Sequence, residues 1–359
     1  MLAHKKKYEF KLININQLKP FPRNSRKHSD IQIQQVVNSI NEFGFTNPIL
    51  IDEKNTIIAG HARLMAAKKF DIELTGFTLD EIADITPDCV SVGLTDDDAV
   101  PEAPVEPITK LGDIWTLGNH RLMCGDSTMI DDVDRLMMGE KALLMLTDPP
   151  YGVNLDQSWR DEALGDKTLG RGNKQKIQND DRADWTDTYA LFNGDIAYVW
   201  HASCRTDLVK KNLEDCHLLT RQMIIWNKSI MVMGRSAYHW KHEPCWYAVR
   251  KGCDANWKGD RKQTTVWDAA SPNHIMSGSK EEKTEHPSQK PAILFEIPIK
   301  NHTSQNDGVY DPFGGSGSTL IACEKKNRKC FMMELSPQYC DVIVKRWEQF
   351  TGNKAVLNA

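Results

Sequence analysis

The residues with the most chemical content form two short runs, Asp148-Pro149-Pro150-Tyr151 and Asp311-Pro312-Phe313-Gly314-Gly315-Ser316-Gly317. Each follows an apolar, strand-like run. The prolines of the first lack N–H donors and stiffen the turn, so their carbonyls can face a ligand. An exocyclic amine on a flat base has two N–H groups and a lone pair delocalised into the ring. If the Asp148 carboxylate and the Pro149 carbonyl accept those protons, the nitrogen is drawn toward sp³ geometry and its lone pair localises. Tyr151 is suited to stacking on the ring face. No covalent bond to the base is needed, and so no nucleophilic cysteine. A base inside a duplex cannot reach such a pocket and must be flipped out, at a cost of a few kcal/mol. Taken alone, the run also reads as a Pro-Pro turn that ends a strand.

The second run suits a nucleoside cofactor, because glycines let the backbone approach it closely. Glu334 closes the next strand, and an acidic residue at roughly 20 residues from a glycine turn can take both ribose hydroxyls. A dinucleotide enzyme would use similar geometry. However, Phe-Gly-Gly-Ser-Gly lacks the last glycine of Gly-x-Gly-x-x-Gly, and little chain follows it. Asp126 lies just past a strand, where it fits a helix N-cap as well as a ligand contact.

These residues need a scaffold. Ile114 to Ser127 reads as a hairpin turning at Gly118-Asn119. Ala142 to Thr147 is a continuous apolar run, as expected of a strand buried on both faces. Ile196–His201 and Gln222–Lys228 read as further strands, with Trp200, His201 and Lys228 as candidates to line the base pocket. Gly308–Tyr310 and Cys330–Met333 are strands flanking a helix from Leu320 to Lys326. Nearer the N-terminus, Phe10–Leu18 is strand-like, Ser29 caps a helix from Asp30 to Glu42 that Gly44 ends, and Pro48–Asp52 pairs with Thr56–Ala59 in a hairpin. Gly60-His61-Ala62-Arg63 then opens a helix through Lys69.

Bulk numbers set limits. The 359 residues, 40% hydrophobic and 26% charged, allow two domains. No apolar run reaches the length of a membrane span, and the basic start lacks the apolar stretch of a signal peptide. The nine cysteines contain no Cys-x-x-Cys pair, so reduced thiols in a cytoplasm are expected, and no metal. A net charge of −4 neither supports nor excludes nucleic acid. The stretch from Asp96 to Pro107 has five acidic residues, three prolines and no basic residue, and reads as an extended, self-repelling linker. Basic and aromatic residues mix in 234–244 and 256–263. Arg235, His239, Lys241, Lys258, Arg261 and Lys262 are the candidates to meet DNA phosphates. Charge runs are more often only solvated surface, but a location between the two motifs favours DNA.

On its motifs, residues 110–352 resemble the β-class of DNA amino-methyltransferases. The order is that of the class: Asp148–Tyr151, a variable region, His286-Pro287-Ser288-Gln289-Lys290-Pro291, then Asp311–Gly317. The resemblance implies an α/β fold, a Rossmann-like S-adenosylmethionine-dependent domain with a mixed, mostly parallel sheet. It implies that Asp148, Pro149, Pro150 and Tyr151 hold the target base. Asp126, Asp311, Phe313, Gly315, Gly317 and Glu334 would hold S-adenosylmethionine, with Lys290 a lesser candidate. An initial Asp leans toward adenine N6 and an initial Ser toward cytosine N4. A methylase of glutamine or RNA usually starts its clamp with Asn.

Residues 8–90 resemble the small α+β ParB/sulfiredoxin-like domain, through the Asn47-Pro48 strand, the hairpin and Gly60-His61-Ala62-Arg63. A Gly-x-x-Arg turn is suited to a nucleotide phosphate, with Gly60 and Arg63 as its candidates, although Leu64 replaces a second arginine found in many partition proteins. The expected domains are 1–95, a linker 96–108, and 109–356 with target recognition at about 229–285. Double-stranded DNA is the implied partner, and a second copy of the chain is a further candidate. The pairing of these domains resembles phage and prophage proteins. An N4-cytosine enzyme, or a DNA-binding partition-type module with a vestigial methylase, are the alternatives.

Overall fold

The computed structural model describes residues 17–20, 32–34, 36–37, 49–52, 54–69, 93–153, 179–232, 237–270 and 289–358. The chain divides into two compact units, Met1–Thr86 and Pro87–Ala359.

In the first unit, β1 (Leu50–Ile51) pairs antiparallel with β2 (Ile57–Ala59). The Asp52 carboxylate accepts the Lys54 and Thr56 amides at 2.9 and 2.7 Å and so shapes the turn between them. Helix α1 (His61–Lys69) follows Gly60, whose φ of +108° suits glycine. Leu18, Ile57 and Leu64 form a small core with Ile49 and Ile51. Residues 32–34 and 36–37 are helical, inside the expected helix. The expected strand from Phe10 lies outside the described residues up to position 16.

The second unit is built on a ten-stranded sheet. Its strands are β3 (Ile114–Leu117), β4 (His120–Cys124), β5 (Ala142–Thr147), β6 (Ile196–Trp200), β7 (Leu218–Val232), β8 (Trp240–Arg250), β9 (Val266–Ala269), β10 (Gly308–Asp311), β11 (Lys329–Glu334) and β12 (Val356–Asn358). Their spatial order is β12-β3-β4-β11-β10-β5-β6-β8-β7-β9. From β4 through β6 the neighbours are parallel. Antiparallel pairs flank that centre, so the sheet is mixed.

Alternation along the strands builds two cores. On β6, Ile196, Tyr198 and Trp200 join one cluster, while Ala197 and Val199 join the other. The first is covered by α5 (Ile293–His302), α6 (Ser318–Lys325) and α7 (Pro337–Thr351), through Leu294, Leu320 and Trp347. The second is covered by α2 (Ile130–Met137), α3 (Thr186–Ala190) and α4 (Thr206–Asp215), through Leu136, Tyr189 and Leu213. This is the three-layer α/β architecture expected from the sequence.

The acidic stretch falls within the second unit, where its start meets cations. Asp97 pairs with Lys325 at 2.5 Å, and its carbonyl accepts from Arg346 Nη2 at 2.7 Å. The expected target-recognition region, about 229–285, contributes strands to the main sheet. Residues 240–250 and 266–269 are strands of the central sheet, and Cys245, Tyr247, Ala248 and Val249 are core.

Candidate active site

Four segments converge on the carboxyl edge of the parallel strands, where α/β sheets place ligands. β4 leads to Asp126, β5 to Asp148, β10 ends at Asp311 and β11 at Glu334. β5 and β10 are direct neighbours, with Tyr310 opposite Met145. The proline turn and the glycine turn therefore leave adjacent strands, although 163 residues, from 148 to 311, separate them in the chain.

Asp148 sits in a compact set of charges. Its Oδ1 accepts from the Tyr151 hydroxyl at 2.7 Å, and its Oδ2 from Lys290 Nζ at 2.5 Å. Lys290 also reaches the Tyr151 hydroxyl at 2.8 Å and Glu243 Oε2 at 3.0 Å. Glu243 in turn pairs through Oε1 with Lys228. Burial pushes the Asp148 carboxyl up; Lys290 opposes this and Glu243 adds to it. Burial works the same way on Glu243, but Lys290 and Lys228 outweigh it and hold that group at about 2. Burial disfavours the Lys290 ammonium, yet its two carboxylates raise it above the ordinary lysine value. Among the described residues, no donor reaches the Pro149 carbonyl. The Pro150 carbonyl is taken by Trp185 Nε1 at 3.0 Å.

The glycine turn lies beside this set. Gly315 and Gly317 have φ of +53° and +84°, and a Cβ on Gly315 would meet none of the described residues within 4 Å, so the turn is open toward them. Glu334 Oε2 accepts the Gly315 amide at 2.8 Å and Oε1 the Ser336 amide at 2.9 Å. Burial pushes Glu334 up to about 7 against these bonds. Phe313 meets Trp185 edge-on with ring centroids 4.7 Å apart. Asp126 Oδ1 accepts from the Thr128 amide and hydroxyl at 2.9 and 2.8 Å, shaping the turn ahead of α2. An open glycine turn flanked by an acid at each neighbouring strand end and by an aromatic ring fits a nucleoside cofactor.

Two expected cofactor residues are buried with partners of their own. Lys290 is 3% exposed, and its amino group is directed at Asp148 and Glu243. Asp311 is 2% exposed and lies beneath the turn, with Oδ1 accepting from Thr147 Oγ1 at 2.7 Å and the Phe313 amide at 3.1 Å. Burial pushes it up to about 7.

Trp200 packs toward the lysine, with Lys290 Nζ 5.4 Å from its ring centroid. His201 is buried against Trp246, and burial lowers it to about 4, so it is neutral. His239 and Lys241 are exposed around the start of β8, and Lys258, Arg261 and Lys262 in the loop before β9. Arg235 and His286 to Ser288 lie outside the described residues. Sequence reasoning missed Glu243. Its signal was an acid flanked by His242 and Pro244 inside a run that turns apolar.

A family model described as DNA methylase, of the N6/N4 type, matches residues 143–345. The chain belongs to this family. S-adenosylmethionine is the cofactor that goes with it. A ParB N-terminal domain model matches residues 2–85, and a ParB-methyltransferase HTH domain model residues 62–111. The second was not anticipated, although Thr78 and Glu81 after Gly76 stand at capping-box spacing.

The ParB-like nuclease domain-containing protein YnaK of Escherichia coli K12 is 45% identical over 83 residues, 23% of this chain and 83% of that protein. The type II methyltransferase M.Cfr9I of Citrobacter freundii is 33% identical over 101 residues, 28% of this chain. That match spans only 30% of the M.Cfr9I length. The crystal structure of an M1.HpyAVI–SAM complex is similar at 25% identity and a TM-score of 0.46, covering 63% of this chain and 98% of that one.

Proposed function

We propose that this DNA methylase is a site-specific enzyme that moves the methyl group of S-adenosylmethionine to N6 of a flipped-out adenine in double-stranded DNA. The observation that carries the reading is that two acceptors, the Asp148 carboxylate and a Pro149 carbonyl that no donor among the described residues reaches, leave the strand beside the one that leads to the turn at Gly315. When bound, S-adenosylmethionine supplies an electrophilic methyl group. Asp148 and Pro149 would accept hydrogen bonds from the two amino N–H groups, which localises the nitrogen lone pair toward the donor; as the N–C bond forms the S–C bond breaks, and one N–H proton is released. Tyr151, tied by its hydroxyl to Asp148 and Lys290, offers its ring to the base. Glu334 ends the strand beside the turn and Asp126 follows the strand next to that one, and both are suited to the nucleoside of the cofactor. The basic residues Lys241, Arg261 and Lys262 are suited to phosphate.

Cytosine N4 is the second reading, since the same two acceptors serve any exocyclic amine. The initial Asp148 favours adenine by resemblance. The turn at Gly60 and Arg63 remains a candidate phosphate site of the first unit. Single-molecule sequencing of host DNA, with and without the protein expressed, tests the reading. N6-methyladenine at one short motif is expected. N4-methylcytosine would keep the mechanism and replace the base. Unmodified DNA from cells making protein that binds S-adenosylmethionine would overturn the reading.

A further inference from the structure

We infer that Lys290 is a positioning residue for the base clamp: suspended between Asp148 and Glu243, it keeps the Asp148 carboxylate ionised and aimed at the incoming amino group. This rests on the proposed role of Asp148 as acceptor.

An ammonium has three N–H donors and no acceptor. In Lys290 all three have partners: Asp148 Oδ2, the Tyr151 hydroxyl and Glu243 Oε2. None is left for a cofactor. The backbone is held as tightly. The Ser318 hydroxyl donates to the Lys290 carbonyl at 3.0 Å, and the next residues are fixed by the Ala292 amide, which donates to Asp98 Oδ1 at 2.8 Å. A lysine fixed at both ends presents its charge at one point.

The charges alternate. Asp148 and Glu243 are paired with Lys290 and Lys228, giving a neutral quartet with Tyr151 among them. The other titratable groups near it among the described residues are Cys245 on β8, His201 after β6, Tyr189 on α3 and Asp311 on β10. Removing Lys290 alone leaves two carboxylates facing each other in a buried site. Like charges so placed cannot both stay ionised. Glu243 keeps Lys228, so Asp148 is the group that takes the proton. A protonated Asp148 offers an O–H where the reaction needs an acceptor. Removing Glu243 acts oppositely, since it takes away a repelling charge and leaves Lys290 to Asp148.

The test is methyl transfer from tritiated S-adenosylmethionine to plasmid DNA from a methylation-deficient host, measured against pH with the full chain. Lys290→Met is expected to lose roughly 100-fold or more in kcat at neutral pH, as loss of a working proton acceptor does. Its acid limb should move up by about one pH unit or more, with S-adenosylmethionine affinity within a few-fold by calorimetry. Glu243→Gln should move the limb down, and the double variant should recover part of the activity lost in Lys290→Met. Glu243→Gln keeps the test decisive if Lys290→Met does not fold. Unmoved acid limbs, or loss of cofactor affinity in step with kcat, would overturn the proposal while wild-type transfer upholds the function. Absence of wild-type transfer to any DNA would remove both.

Discussion

Thr147 Oγ1 donates to Asp311 Oδ1 at 2.7 Å across neighbouring strands, so the last residue of the clamp strand is bonded to the last residue of the glycine-turn strand. The two halves of the site are thereby held in fixed relation. Thr147→Val keeps the shape and removes the donor. It should cost about 1–3 kcal/mol by leaving a buried acceptor short of a partner, whereas Thr147→Ser should cost little. Urea denaturation measures both. Asp311 also carries a pH signature. Its folded value of about 7 lies above the ordinary 3.8. The stability it lends is present below the unfolded value and lost as pH rises through about 7. Asp311→Asn should flatten that loss, and an unchanged slope would assign it elsewhere.

Asp148→Ala should abolish transfer and leave S-adenosylmethionine binding within a few-fold, because Asp148 bonds Tyr151 and Lys290 and none of the turn residues. Filter-bound methyl counts and calorimetry read the two quantities separately. Activity retained in this variant would sink the clamp assignment.

As the proposed ribose contact, Glu334 should couple cofactor binding to pH. Burial holds its carboxyl at about 7. Ribose hydroxyls donating to it would favour the ionised form, so the bound complex would have the lower value. Affinity should then tighten as pH rises toward 7, by up to about tenfold per unit, and level off above. Glu334→Gln should bind more weakly and show no such slope. A wild-type affinity flat from pH 5 to 8 would separate Glu334 from the ribose.

The exposed Lys241, Arg261 and Lys262 should each act as phosphate contacts. Replacing any one with alanine should weaken DNA binding evenly across sequences and reduce the slope of log affinity against log salt by about 1. An unchanged salt slope would mark that residue as plain solvated surface.

What the sequence showed plainly was local. β5 spans Ala142–Thr147, as the unbroken apolar run before Asp148 indicates, and the β3–β4 hairpin turns at Gly118, whose φ is +58°. What it hid was pairing at long range. Asp97 appears among like charges in its own window, and its cation Lys325 comes 228 positions later. Lys290 lies 47 positions from Glu243, from 243 to 290, so its place beside the clamp has no local signature. β8 was hidden for another reason. Pro244 lacks the N–H that a central strand normally donates, yet it sits opposite Ile225 within the ribbon, and its carbonyl accepts the His201 amide at 3.1 Å.

The acidic stretch yields the last prediction. Its start, with Leu94 just before it, forms a strap bonded to α7 and to the loop before α5. The Leu94 amide donates to the Phe350 carbonyl at 2.8 Å. Gln289 Nε2 donates to the Asp98 carbonyl at 2.7 Å, and the Ala292 amide to Asp98 Oδ1 at 2.8 Å. Arg346 spans from the Asp97 carbonyl to the Ser316 carbonyl, within the glycine turn, at 2.7 and 2.8 Å. Asp98 thus bonds the residues on either side of Lys290-Pro291. Asp98→Ala should cost about 1 kcal/mol, as the loss of a helix N-terminal acceptor does, and lower kcat more than cofactor affinity. Gly93→Ala should do more, because a Cβ there would lie 2.0 Å from the Phe350 ring and force the strap off α7. Hydrogen exchange at the amides of 289–294 measures the release directly. Equal protection in Gly93→Ala and wild type would show that α5 and the Lys290 loop hold their place without the strap.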